Sequence, residues 1–201
     1  MTKITRFAPA LALAAAAALS ASPAQAQDSG SWVVRARALH LSSANSDSTG
    51  LNLSINDKTF PEVDFGYFFT PNIAAELILT YPQSQDLRAG GTKIGSFKHL
   101  PPTLTAQYHF TDLGRVRPYL GAGVNYTHLS NVELPAGVTV KKNSWGLALQ
   151  AGVDVPIGNG WLVNVDLKKV QIATTVYAAG ADIGKFKVDP LLFGIGIGKR
   201  F

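Results

Sequence analysis

Residues 144–155 read SWGLALQAGVDV. Trp145, Leu147, Leu149, Ala151, Val153 and Val155 fall on one side of an extended chain, with Gly146, Gln150, Gly152 and Asp154 on the other. Alternation sustained over this length is the pattern of a β-strand with one apolar and one polar face. The same period recurs over residues 32–41, 62–69, 72–81, 103–110, 118–127, 161–174 and 188–201, which makes eight candidate strands. The segments between them alternate in length. Residues 70–71, 111–117 and 156–160 are short connections, whereas 42–61, 82–102, 128–143 and 175–187 are long. Outer-membrane barrels show this asymmetry, with short periplasmic turns and longer outer loops. The expected fold is all-β: an eight-stranded antiparallel transmembrane β-barrel with both chain ends on the periplasmic side.

Composition agrees. The chain has 201 residues, 46% hydrophobic and 15% charged, with no cysteine. Soluble domains carry roughly 25% charged residues. Lys3 and Arg6, an Ala-rich apolar run and Ala24-Gln25-Ala26 read as a cleaved secretory leader over residues 1–26, leaving a single barrel domain over 27–201. Without the leader, sixteen basic residues face thirteen acidic ones, and no Lys/Arg-rich run suits nucleic acid. No apolar run after the leader is long enough for a membrane helix. A closed barrel is the other structure that satisfies its backbone hydrogen bonds in lipid. The absent thiols remove cysteine nucleophiles and thiolate metal sites.

A soluble carrier barrel would show the same eight strands with the apolar face inward. The aromatic positions and the charges decide between the two. Trp32, Tyr67, Phe69, Phe110, Trp161 and Phe201 gather at one end of the apolar face, and Tyr81, Tyr126, Trp145 and Phe193 toward the other. Two aromatic girdles flanking an aliphatic band fit a bilayer. The opposite face carries Arg35, Arg37, Lys168 and Arg200 with Glu62, Asp64, Glu76, Asp154 and Asp166. Turned outward, each midplane Arg or Lys costs about 2–4 kcal/mol. Turned inward, the nine neutralise one another as a luminal charge plug.

Leu39, Ile78 and Leu162 break the polar pattern of the inward face and are the candidate apolar lumen or gate. Leu39 and Ile78 fall near the outer mouth, where they form an apolar collar above the plug. Eight strands leave room for side chains or one small ligand, not for a wide pore. Small hydrophobic molecules entering from outside would be stopped at the plug and leave sideways into outer-membrane lipid. Two other functions stay open: a structural or adhesive barrel acting through its outer loops, and a narrow ion pore. His40, His99, His109 and His128 form no metal-ligand motif, and no nucleophile–base arrangement stands out, so neither cofactor, metal nor enzymatic activity is expected.

Several stretches carry a family resemblance: WVVRAR at 32–37, YFFTPNIAAELIL at 67–79, LPPTLTAQYHF at 100–110, RPYLGAGVNYT at 117–127, SWGLALQAGVD at 144–154, and Asp189-Pro190 followed by GKRF at 198–201. The chain resembles the OmpW-type small outer-membrane proteins, which include the AlkL-type alkane importers. The resemblance implies an eight-stranded barrel in a Gram-negative outer membrane, with a hydrophobic entry path for small apolar molecules. It implies an inward aliphatic at Ile78 and a terminal aromatic, Phe201, that the barrel-assembly machinery reads. Lys168 departs from the aromatic that such proteins carry at this inward position.

Overall fold

A strand buried in lipid on one side has no water to satisfy its edge, so its ladder must be completed by a neighbour. The computed structural model describes residues 31–201, and meets this demand with strands alone; the expected leader lies outside the described residues. In chain order the elements are β1 (Trp32–Ser42), β2 (Ser46–Asp47), β3 (Leu53–Ile55), β4 (Lys58–Phe68), β5 (Ile73–Thr80), β6 (Gln83–Ala89), β7 (Thr92–Leu100) and β8 (Thr103–His109). Then follow β9 (Arg117–Glu133), β10 (Val138–Val140), β11 (Asn143–Gly158), β12 (Trp161–Val170), β13 (Ala173–Ala178), β14 (Ala181–Lys187) and β15 (Leu191–Arg200).

Eight of these form the wall in the order β1-β4-β5-β8-β9-β11-β12-β15, every pair antiparallel. The ring closes where β1 meets β15, from Val33 opposite Arg200 to Ser42 opposite Leu191. Each wall strand is followed in sequence by its spatial neighbour, so the barrel is up-and-down. The end bearing Trp32, Phe201 and the short turns is the lower end. There Asn159 and Gly160, at φ 51° and 77°, turn β11 into β12. Positive φ at both central residues is the type I′ arrangement that Asn-Gly favours.

The upper end differs from the sequence expectation. The stretches read as long loops are largely strands. β6 and β7 form a hairpin around Gly90-Gly91 (φ 55° and 85°), β7 pairs with the upper part of β9, and β3 adds to β6. β10, β13, β14 and β2 make a separate four-stranded sheet. The reason is length. A membrane strand needs about 9–11 residues, but β9 has 17 and β11 has 16. Their upper parts rise beyond the bilayer, and β9 offers β7 a free edge.

The barrel is inside-out relative to a soluble one. Trp145 is 73% exposed and Leu149 63%, whereas Arg35, Asp64 and Glu76 are 0% exposed. Aromatic rings cluster at both rims of the outer face. Below, Trp32 meets Tyr67 at 4.9 Å, and Tyr67 meets Phe69 at 5.1 Å; above, Tyr126 meets Trp145 at 4.8 Å. Between the rims the outward side chains are mainly aliphatic, Phe65 apart, as the acyl region requires.

Val165 lies midway on this band, opposite Val153 and Ile195. Val165→Arg is expected to destabilise the barrel by about 2–4 kcal/mol, read from denaturant unfolding in lipid vesicles. A change within error would place this face away from lipid.

Candidate functional site

The lumen is built in three layers. The middle one is ionic, because inward alternation on β1, β4, β5, β11 and β12 brings their charges to one height. Arg35 donates to Asp154 (2.6 Å), Asp64 (3.1 Å) and Glu76 (3.0 Å). Arg37 pairs with Glu76 (2.9 Å), Glu62 and Asp166 (3.2 Å each) and Asp64. Lys168 holds Glu62 at 2.6 Å and Asp166 at 3.0 Å. Isolated buried charges are costly, and this mutual pairing is what makes their burial tolerable. Uncharged groups complete the network. Gln107 and Gln150 donate to Glu76 at 2.7 and 2.8 Å, Gln150 also to Asp166 at 2.7 Å, and Asn164 to Asp154 at 2.8 Å. The Tyr119 hydroxyl donates to Asp166 at 2.6 Å. Gly152 makes that possible, since a Cβ there would lie 2.3 Å from the Tyr119 ring.

Beneath this layer His109 stacks on Tyr119 at 4.8 Å, with Nε2 2.9 Å from the side-chain oxygen Oε1 of Gln107. Val33, Phe68, Ala74 and Leu162 form a small apolar cluster beside it. A cavity of about 380 Å³ opens at the lower mouth, lined among others by His109, Arg117, Asp154 and Arg200. The Arg200 guanidinium lies 4.1 Å above the Phe68 ring.

The upper layer is a chamber whose wall is apolar. Leu39, Leu41, Phe60, Val170, Phe186 and Leu192 belong to one buried cluster, joined by Leu53, Ile55, Leu87, Phe97 and Leu129 from the extension above the membrane. Ile78 and Leu39 line the lower part of the chamber together, and Glu62, Lys168, Thr103 and Asn125 form its floor. Its enclosed spaces are small, about 20 and 30 Å³. Either holds about one water molecule, so a larger guest must displace side chains. His99 also lines the chamber. It sits above the level of Tyr126, opposite Leu129. Burial, with the Lys58 ammonium nearby, pushes its imidazole down to about 4.

The structure brings together eight of the nine charges expected to form the plug. The ninth, Arg200, stands lower, at the mouth, because it is the last residue of β15 and faces Val33 at the foot of β1. Leu39 and Ile78 both line the lower part of the upper chamber. Leu162 does not join them: it follows the lower turn, opposite Gly198, and packs under the ionic layer. It therefore lies away from Leu39 and Ile78. The reading of the residues also missed Tyr119, Gln107, Gln150 and Asn164 as network members. Tyr119 shares the parity of Gly121 and Gly123, which was the available signal. His99, within the 82–102 connection, is 5% exposed and lines the chamber.

Comparison with known proteins agrees with this architecture. The OmpW family profile matches residues 28–201. Outer-membrane protein y4mB of Sinorhizobium fredii is 44% identical over 183 residues, 85% of this chain and 80% of that protein. The dibenzothiophene metabolism operon protein PahQ of Pseudomonas aeruginosa is 31% identical over 160 residues, covering 76% of each. The crystal structure of the outer membrane protein OprG from Pseudomonas aeruginosa superposes with a TM-score of 0.74 at 26% identity, over 87% of this chain and 97% of that one.

Two expectations follow from the geometry. Arg37→Met leaves Glu62, Asp64, Glu76 and Asp166 short of a shared cation and should cost about 3–5 kcal/mol, seen as a fall in the unfolding midpoint in micelles. The His99 pKa gives a slope with pH. As pH drops below the ordinary value of 6.5, the unfolded chain takes up a proton that the folded one refuses until about pH 4. Stability therefore falls by a few kcal/mol between those values and levels off beneath them. Thermal unfolding of His99→Gln should lack this part of the slope.

Proposed function

Because this chain belongs to the OmpW family of outer-membrane β-barrels, we propose that it admits small hydrophobic molecules from outside the cell and releases them sideways into the outer membrane. The observation that carries the reading is the stacking of an apolar chamber directly on a buried, mutually paired ionic floor. Leu39, Ile78, Leu41 and Leu192 offer a guest an oily wall, while Glu62 and Lys168 close the axis below it. A hydrocarbon gains by leaving water for the chamber and gains nothing by entering the ionic layer. Straight passage is therefore opposed, and the route must turn.

The wall offers a place to turn. The β5–β8 ladder stops where Ile78 faces Thr103. Above that point the chain runs through Pro82 on one side and Pro101-Pro102 on the other, and proline has no N–H to give to a ladder. Thr80 and Pro101 line the chamber here, and Tyr81, 57% exposed, faces out. Side chains rather than backbone hydrogen bonds thus separate chamber from lipid. The name of the relative PahQ ties that protein to the metabolism of dibenzothiophene, an apolar compound, which fits the same class of permeant. An ion pore suits the lumen less well, since Arg35 and Arg37 are wholly buried and each bonds several carboxylates.

Leu39→Lys and Ile78→Lys place an ammonium in the oily wall. Each is expected to cut cellular uptake of a small hydrocarbon several-fold while the heat-modifiable gel shift of the folded barrel is kept. Uptake equal to wild type in the folded variants would remove the chamber from the route.

A further inference from the structure

Above its ionic floor, the upper chamber has an edge that carries amides. Gln83, Gln85 and Leu87 alternate onto the same face of β6, and Leu87 belongs to the apolar cluster. Across the ladder Gln83 lies opposite His99 and Gln85 opposite Phe97. Directly opposed residues of an antiparallel pair project to the same side, and both His99 and Phe97 line the chamber. The two glutamines therefore project inward, and they are 0% and 1% exposed.

Their polar atoms are largely unused. The Gln83 amide nitrogen donates to the Tyr81 carbonyl at 3.0 Å. Among the described residues nothing hydrogen-bonds the Gln83 side-chain oxygen Oε1, Oε1 or Nε2 of Gln85, or the Thr80 hydroxyl, and all four atoms are buried. The contrast within one lumen is sharp. Gln107 and Gln150, the same residue type one layer down, are bonded to carboxylates and to each other. Buried polar groups left without partners are rare and point to a ligand or a water that completes them.

We infer that the Thr80–Gln85 edge is the polar end of the binding chamber, and that its permeants are apolar molecules bearing one neutral oxygen function, such as a medium-chain alcohol or ketone. This rests on the uptake reading above and narrows its substrate class. A carboxamide both donates and accepts, so it satisfies a hydroxyl or a carbonyl. A bare alkane leaves it unpaired, and sites of this kind discriminate against the analogue that lacks the polar group. An ionised head group fits less well. Lys168, on the chamber floor, is already held by Glu62 and Asp166, the Lys58 ammonium near this edge donates to the Ser84 carbonyl at 2.8 Å, and a desolvated carboxylate needs a partner. The placement also suits delivery. The edge adjoins the proline-flanked break in the ladder and the Tyr81 level of the aromatic rim. A guest held there by its oxygen leaves tail-first toward the acyl chains with its head at the interface.

The test uses the full mature barrel in lipid nanodiscs, with n-octane, 1-octanol and 2-octanone displacing the fluorescent probe 1-N-phenylnaphthylamine. Gln85→Leu and Thr80→Val keep side-chain volume and remove the polar atoms. Comparing each variant with wild type cancels partition into the lipid. Gln85→Leu is expected to weaken 1-octanol and 2-octanone by about tenfold, Thr80→Val by less, and neither to weaken octane. Equal change for alcohol and alkane, or a variant that is more stable yet binds the alcohol like wild type, overturns the inference and leaves hydrocarbon uptake standing. Failure of all three compounds to displace the probe from the wild-type protein overturns both.

Discussion

Lipid cannot hydrogen-bond a peptide group, and this constraint organises the whole molecule. Every wall strand must be paired on both sides through the bilayer, so the eight strands close on themselves through β1 and β15. Closure in lipid then reverses the usual partition of side chains. The outer surface must be oily, and whatever is polar along each strand is left to face a narrow interior. The Arg35 and Arg37 network follows from that reversal. Charges that cannot face acyl chains are confined together, and they are stable there because each cation meets several carboxylates.

The same confinement divides the lumen by height. Ionic and amide groups fill the middle so fully that the larger space lies below, at the Arg117 and Arg200 mouth. Above, the wall strands outrun the membrane, and their inward positions turn aliphatic because the extension built from β3, β6 and β7 must have a core of its own. The chamber is thus the core of the upper sheet and, by its position, the antechamber of the barrel. Its one poorly satisfied edge, Thr80 to Gln85, coincides with the place where proline interrupts the wall. The proposed guest with a polar end would account for that coincidence.

Much of this was legible in the residues. Period-2 alternation located all eight wall strands, and the parity of Trp145, Leu147 and Leu149 against Gln150 and Asp154 fixed which face meets lipid, because a one-residue slip would reverse every side chain at once. Where the reading fell short, the signal was local but weak. Gly90-Gly91 between two polar, charged stretches was read as loop, since β6 and β7 carry lysine, serine and glutamine where a strand pattern shows β-branched residues. Leu162 was grouped with Leu39 and Ile78 on parity alone; parity gives the face of a strand but not the height reached on a tilted wall.

Periodicity and the cost of placing charge in hydrocarbon suffice to give the class of fold, the number of wall strands, the lipid-facing surface and the set of charges that had to neutralise one another. Which charges meet, the position of Arg200 and Leu162 below the network, and the folding of the outer segments into a walled chamber emerge from the assembled barrel alone. Those depend on strand stagger around a closed ring. Stagger is set by all eight registers together, so no single stretch of sequence contains it.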